Sequence, residues 1–174
     1  AITHPPLSHF LEQEESFPPH FSLNKSHKNP IIKPTSRRWE SRATFNPAAV
    51  YEAGKVHIIY RAIGDNDVSV FGYASSKDGV HIDERLPDPI YIPREDFEVG
   101  GMHKSYAHHF SPFASGGGIY GGCEDPRITK IDGRFYMTYV AYDGASPPRV
   151  ALTSILERDF LDHEWDWEKP VLIS

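Results

Sequence analysis

Cysteine is nearly absent from this chain: Cys123 stands alone among 174 residues, so no disulfide framework and no cysteine cluster for zinc can form within it. A basic excess is also missing. Eighteen Lys and Arg against 24 Asp and Glu leave a net charge of −6, which removes any overall pull on nucleic acid. No apolar run approaches the roughly 18 residues of a membrane span, and no charged-then-apolar secretory signal opens the sequence. These absences point to the cytoplasm, with the periplasm left open. Helical periodicity is scarce too; the one short candidate is Ser154–Phe160.

What the chain does have is turn residues and aromatics. Thirteen Gly, 15 Pro and 13% aromatic residues describe a turn-rich β protein of a size that can bury a core. Residues 1–28, rich in proline and histidine without a sustained period, read as an extension, either a partly ordered tail or an arm with a helical turn near Leu7–Glu15. From Asn29 onward short runs are bounded by Gly, Pro, Asp and Asn. Strands are expected at Ala48–Glu52, Lys55–Ala62, Ser69–Ser75, Ile90–Ile92, Arg127–Ile131, Arg134–Tyr142, Arg149–Ser154 and Val171–Ile173.

An internal repeat organises these runs. Shifting the sequence by 79 positions places Pro47 on Pro126, Gly54 on Gly133, Tyr60 on Tyr139 and Ser75 on Ser154. Each copy is strand, Gly turn, strand, third strand, then a Pro-plus-apolar segment: DPIYIP at 88–93 or KPVLIS at 169–174. Four short strands per repeat are the mark of a β-propeller blade. The expected arrangement is two blades, an insert loop at 94–122, and NPIIKP at 29–34 as an outer strand belonging to another blade. A plain β-sandwich is the competing architecture.

In a propeller, equivalent positions of successive blades face one funnel. Asn46 and Asp125 are such a pair, each before a proline and the first strand; the competing reading is that Asn-Pro and Asp-Pro only start turns. Further along, Tyr60, Tyr136 and Tyr139 read as packing residues, and Trp165 and Trp167 as staples of a blade edge. His103, His108 and His109 in the insert lack the spacing of a metal set and fit a loop over the funnel better. GGGIYGG at 116–122 leads into a strand rather than a helix, so it reads as a hinge and not a phosphate cradle. Asn24-Lys25-Ser26 fits a glycosylation acceptor.

Trp39-Glu40, FNPAAV at 45–50, KVHIIYRA at 55–62, SSKDG at 75–79, GCEDPRI at 122–128 and FYMTYVAYDG at 135–144 together resemble glycoside hydrolase family 130. That family comprises β-mannoside phosphorylases and inverting β-mannosidases on a five-bladed β-propeller. The resemblance runs from about Asn29 to Ser174, roughly the first half of the catalytic domain. It implies that Asp125 is the catalytic acid and that Asn46 and Arg61 hold the mannosyl unit. It also implies a proton delivered through a sugar hydroxyl while inorganic phosphate attacks from the opposite face, giving mannose 1-phosphate.

On this reading no cofactor is expected, phosphate being a co-substrate, and the partner is a β-mannoside oligosaccharide. Tyr142 and Asp143 are further candidates for sugar contact, and Arg149 for phosphate. Arg127 is expected to lock the loop by pairing with Glu124 or a carbonyl. Asp125 should be kept protonated, and Glu124 either assists by like-charge repulsion or points away, as strand neighbours usually do. Hydrolysis, or sugar binding without turnover, are the alternatives. Two blades cannot close a ring, so the expectation is that the rest of the propeller comes from the same gene or a second chain, and that the isolated chain is inactive. Neither nucleic acid nor membrane is an expected partner; homo-oligomerisation is left open.

Overall fold

A computed structural model of the chain describes residues 26–99 and 121–174. Two antiparallel meanders make up nearly all of it. The first runs β1 (Ala43–Glu52), β2 (Lys55–Ile63) and β3 (Ser69–Ser76), with the short β4 (Glu84–Arg85) and a bridge from Phe71 to Tyr91 along the outer side of β3. The second runs β5 (Gly122–Ile131), β6 (Arg134–Tyr142), β7 (Arg149–Leu156) and β8 (Val171–Leu172). One five-residue helix, α1 (Glu157–Leu161), follows β7. These are two blades of a β-propeller.

The 79-residue repeat is visible in the backbone. Ala53-Gly54 and Asp132-Gly133 both adopt positive φ, which gives each inner hairpin a tight turn whose twist matches its strands. Each inner strand also breaks register at the same place, between Phe45 and Ala48 in β1 and between Glu124 and Arg127 in β5. Such a bulge re-aims side chains that the pleat would otherwise alternate.

Packing between the blades is aromatic. Phe71, Tyr73 and Tyr91 of the first blade meet Phe135, Met137, Tyr139, Phe160 and Trp167 of the second. Burial of one large apolar side chain is worth about 1.5–3 kcal/mol, so this interface outweighs any local strand preference. Trp167 donates to Ile90 O at 3.1 Å and Trp165 packs against Tyr73, so both tryptophans join the two blades rather than trim an outer edge. Lys130 adds an ionic tie, reaching Glu52 at 2.7 Å and Glu157 at 2.6 Å.

Segment 29–34 pairs with no strand among the described residues; Ile32 and Trp39 lie on Tyr60, Ala62, Val70 and Ala74, covering the other face of the first blade. The start of the 94–122 insert is anchored. Glu98 is fully buried and its carboxylate accepts from Tyr91 at 2.7 Å, from Tyr139, and from the amides of Arg94 and Glu95 at 2.7 and 2.8 Å. Its carbonyl accepts from Gly122 at 2.7 Å, which anchors the head of β5. Residues 1–25 and 100–120, including His103, His108, His109, most of GGGIYGG and the Asn24 acceptor, lie outside the described residues.

Among the described residues the strands of the two blades pair at one place, where Ser69 meets Gly122 in parallel register. A Cβ on Gly122 would sit 2.4 Å from both Ser69 N and Ser69 O, and its φ of 124° disfavours any side chain. Gly122→Ala should therefore cost about 3 kcal/mol in urea unfolding. Gly133→Ala, at φ 73° but with nothing within 4 Å, should cost only about 1 kcal/mol.

Candidate active site

The site grows from the two bulges. Asn46 and Asp125 both take left-handed backbone conformations, φ 46° and 51°, which turn their side chains out of the pleat. They turn toward each other: Asn46 Nδ2 donates to Asp125 Oδ1 at 2.8 Å. The repeat thus places an amide and a carboxylate at one point between the inner strands.

Arg61 completes the cluster. It lies on β2 opposite Phe45 and is almost fully buried. Its Nε donates to Ser69 Oγ at 3.0 Å, Nη2 to Glu124 Oε1 at 2.7 Å, and Nη1 to Asp125 Oδ1 at 3.1 Å, while the Phe45 ring stacks 4.7 Å from its central carbon. A planar fork with fixed donors is suited to gripping two carboxylates at once. Glu124 and Asp125 reach the same guanidinium although they are chain neighbours, because the bulge suspends the alternation of the pleat. Glu124 does not point away.

The two carboxylates differ in access. The Asp125 side chain is 35% exposed and the Glu124 side chain 7%. Only Asp125 can meet a ligand without displacing the core. Burial pushes the Glu124 carboxyl up to about 7, with Arg61 opposing that rise and the Asp125 charge adding to it.

The remaining candidates lie elsewhere. Arg127 is exposed and donates to the carbonyls of Pro126 at 2.7 Å and Asp125 at 3.4 Å, so it braces the bulge; Glu124 is paired with Arg61 instead. Tyr142 is 1% exposed, which leaves no ring face for a sugar, and its hydroxyl has no hydrogen-bond partner among the described residues. Asp143 Oδ1 accepts from the amides of Ala145 at 2.9 Å and Ser146 at 2.7 Å, closing a turn. Burial works against its charge, but those amides and the nearby Arg149 hold its carboxyl below the usual range. Arg149 opens β7 opposite Ala141, two strands out from β5, about 10 Å at the usual spacing, and is not brought into the Asp125 cluster. Tyr60 and Tyr139 are buried, whereas Tyr136 is half-buried. Among the described residues no group of three His, Cys, Asp or Glu side chains is placed to hold a metal ion, and no helix is long and apolar enough to cross a membrane.

Two members of the cluster escape a reading of the residues alone. The repeat pairs Phe45 with Glu124, a signal for its place in the cluster. Ser69 carried none.

Comparison with known proteins settles the family. The family model described as beta-1,4-mannooligosaccharide phosphorylase matches residues 19–160. The chain belongs to glycoside hydrolase family 130. It is 32% identical over 138 residues to the beta-1,2-mannobiose phosphorylase of Thermoanaerobacter sp. (strain X514), covering 71% of this chain and 38% of that protein. The crystal structure of a glycosyl hydrolase from Bacteroides ovatus superposes with a TM-score of 0.62 at 28% identity, over 83% of this chain and 39% of that one. A GH130 structure from work on glycoside hydrolases that target beta-1,2 mannosidic linkages in Candida mannan superposes equally well, at 0.62 and 29% identity over 83% of this chain and 39% of that one. The chain therefore spans less than two-fifths of the length of these three relatives.

The raised Glu124 carboxyl gives a stability prediction. A carboxyl with a higher pKa folded than unfolded binds more protons in the native state between the two values, so its contribution falls as pH rises from about 4.5 to about 7. Wild type should thus lose stability relative to Glu124→Gln across that window, by roughly 2–3 kcal/mol in denaturant titrations. Parallel curves for the two proteins would contradict the burial argument.

Proposed function

We propose that the protein to which this chain belongs cleaves β-mannosidic linkages with inversion, by phosphorolysis, and that Asp125 is its catalytic acid. The observation that carries this reading is the convergence of Asp125, Asn46 and Arg61 at one partly open point between two inner strands, in a chain of a mannoside-cleaving family. Asp125 donates a proton toward the leaving oxygen by way of a sugar hydroxyl. Asn46 and Arg61 orient the mannosyl unit beside it.

The phosphorylases among the relatives support phosphate over water as the nucleophile, and Glu124 gives water no base. An inverting hydrolase needs a second carboxylate on the opposite face of the sugar, about 6.5–9.5 Å from the first, to activate water. Glu124 cannot take that part: it is buried, adjacent to Asp125 in the chain and held by the same guanidinium, hence on the same side of any bound sugar. Phosphate brings its own nucleophilic oxygen and needs only cations to hold it. Arg149 is one such cation, with no ion pair among the described residues; others would come from further blades of the ring. The same ring supplies the remainder of the mannoside site.

Hydrolysis is the second reading, favoured by the GH130 structure described for glycoside hydrolases; it requires a base from outside this chain.

The test uses the complete protein and β-1,2-mannobiose, the substrate named for the Thermoanaerobacter relative. Phosphate-dependent release of mannose 1-phosphate is expected; mannose released equally without phosphate would replace phosphorolysis by hydrolysis. Asp125→Asn should lower kcat at least about 10³-fold with an unchanged circular dichroism spectrum. Full activity in that variant would remove Asp125 as the acid, and binding without turnover in the unsubstituted protein would make the site a sugar-binding module.

A further inference from the structure

Glu124 is the one charged group of the cluster that the proposed reaction leaves without a part. It is buried, yet it takes the shorter of the two Arg61–carboxylate bonds, 2.7 Å against 3.1 Å for Asp125. Ser69 holds the Nε edge of the same guanidinium and Phe45 covers its face, so Arg61 cannot swing away from either acid. One fixed positive charge is therefore shared by two carboxylates.

That arrangement bears on how Asp125 can act as an acid. A guanidinium at hydrogen-bond distance favours the ionised form of a carboxyl, which is the wrong state for proton donation. A second carboxylate on the far arm of the fork satisfies the cation and weakens that preference. Resting on the reading of Asp125 as the acid, we propose that Glu124 is a positioning residue that neutralises Arg61, so that Asp125 can carry the proton it donates.

Among the described residues little else can do this. Among them, Arg61 on β2 is the cation facing both carboxylates, and Asp125 is the other charge acting on Glu124. The flanking β1 and β3 contribute Asn46, Phe45 and Ser69, none of which titrates. The Cys123 thiol on the same strand is fully buried and pushed far up by that burial, so it stays neutral. Near neutral pH the Glu124 carboxyl is itself poised, at about 7.

The experiment compares kcat–pH profiles of the complete protein, wild type against Glu124→Gln and Glu124→Asp, on β-1,2-mannobiose with phosphate. Gln keeps a hydrogen bond to Arg61 but cannot carry charge. Its alkaline limb should move to lower pH by about one unit, with kcat at pH 7 falling about tenfold and KM changing far less. The Asp variant should restore the limb at least in part. Lost activity with the limb in place in Glu124→Gln, or an unchanged profile, would overturn the proposal. A second measurement needs neither turnover nor a Glu124 variant: carbon-13 NMR of the side-chain carboxyls, with and without Asp125→Asn. Removing the Asp125 charge should lower the Glu124 midpoint, and an unmoved midpoint would overturn the coupling. If the unsubstituted protein cleaves no mannoside, the assignment of Asp125 falls, and this midpoint alone decides the coupling.

Discussion

The Arg61 guanidinium is the constraint around which the site is built. It crosses from the second strand of one blade to the first strand of the next, and it binds a carboxylate on each of two arms and a serine on its edge. Burying a cation is costly unless every donor finds a partner. The surrounding backbone meets that demand: a bulge in β5 turns Glu124 and Asp125 to one side, and the matching bulge in β1 brings Asn46 onto Asp125. Strained positive φ values at Asn46 and Asp125 accompany this, a cost of about 1–3 kcal/mol each that sits where chemistry is expected.

The interface between the blades keeps that arrangement rigid. Aromatic rings fill the space between the blades, and the buried Glu98 ties the head of β5 to Tyr91 and Tyr139. The faces of the two blades are not equivalent. The first is covered on both sides, by the second blade and by the strap that carries Ile32 and Trp39. The second presents half-buried and exposed residues on its outer side, Tyr136, Val140, Val150 and Val171 among them. A propeller blade uses such a face against its next neighbour, in keeping with a chain that spans 38% of the mannobiose phosphorylase it matches.

Much of the fold was legible because the repeat is a covalent pattern: Gly turns, prolines and strand lengths recur at one offset and need no tertiary knowledge. The same offset flagged Asn46 and Asp125 together, and the structure joins them by a hydrogen bond. Legibility failed where a residue's role depends on what approaches it from far along the chain. Ile32 stands between prolines, and only folding sets it on the face of the first blade. Trp165 and Trp167 look like edge staples until Tyr73 and Ile90 are brought beside them. Tyr142 stands at the end of its strand like a sugar platform, yet folding buries its ring.

The sequence by itself determined the blade repeat, its turns and the family, since these rest on local backbone chemistry and on motifs contiguous in the chain. Only the tertiary structure decided that Glu124 turns inward, that Arg61 is shared between two acids, and that Arg127 braces a carbonyl instead. The physical reason is the bulge. One extra residue reverses which side of a strand a side chain faces, and its effect appears only once the partner strand and the guanidinium across the seam are in place.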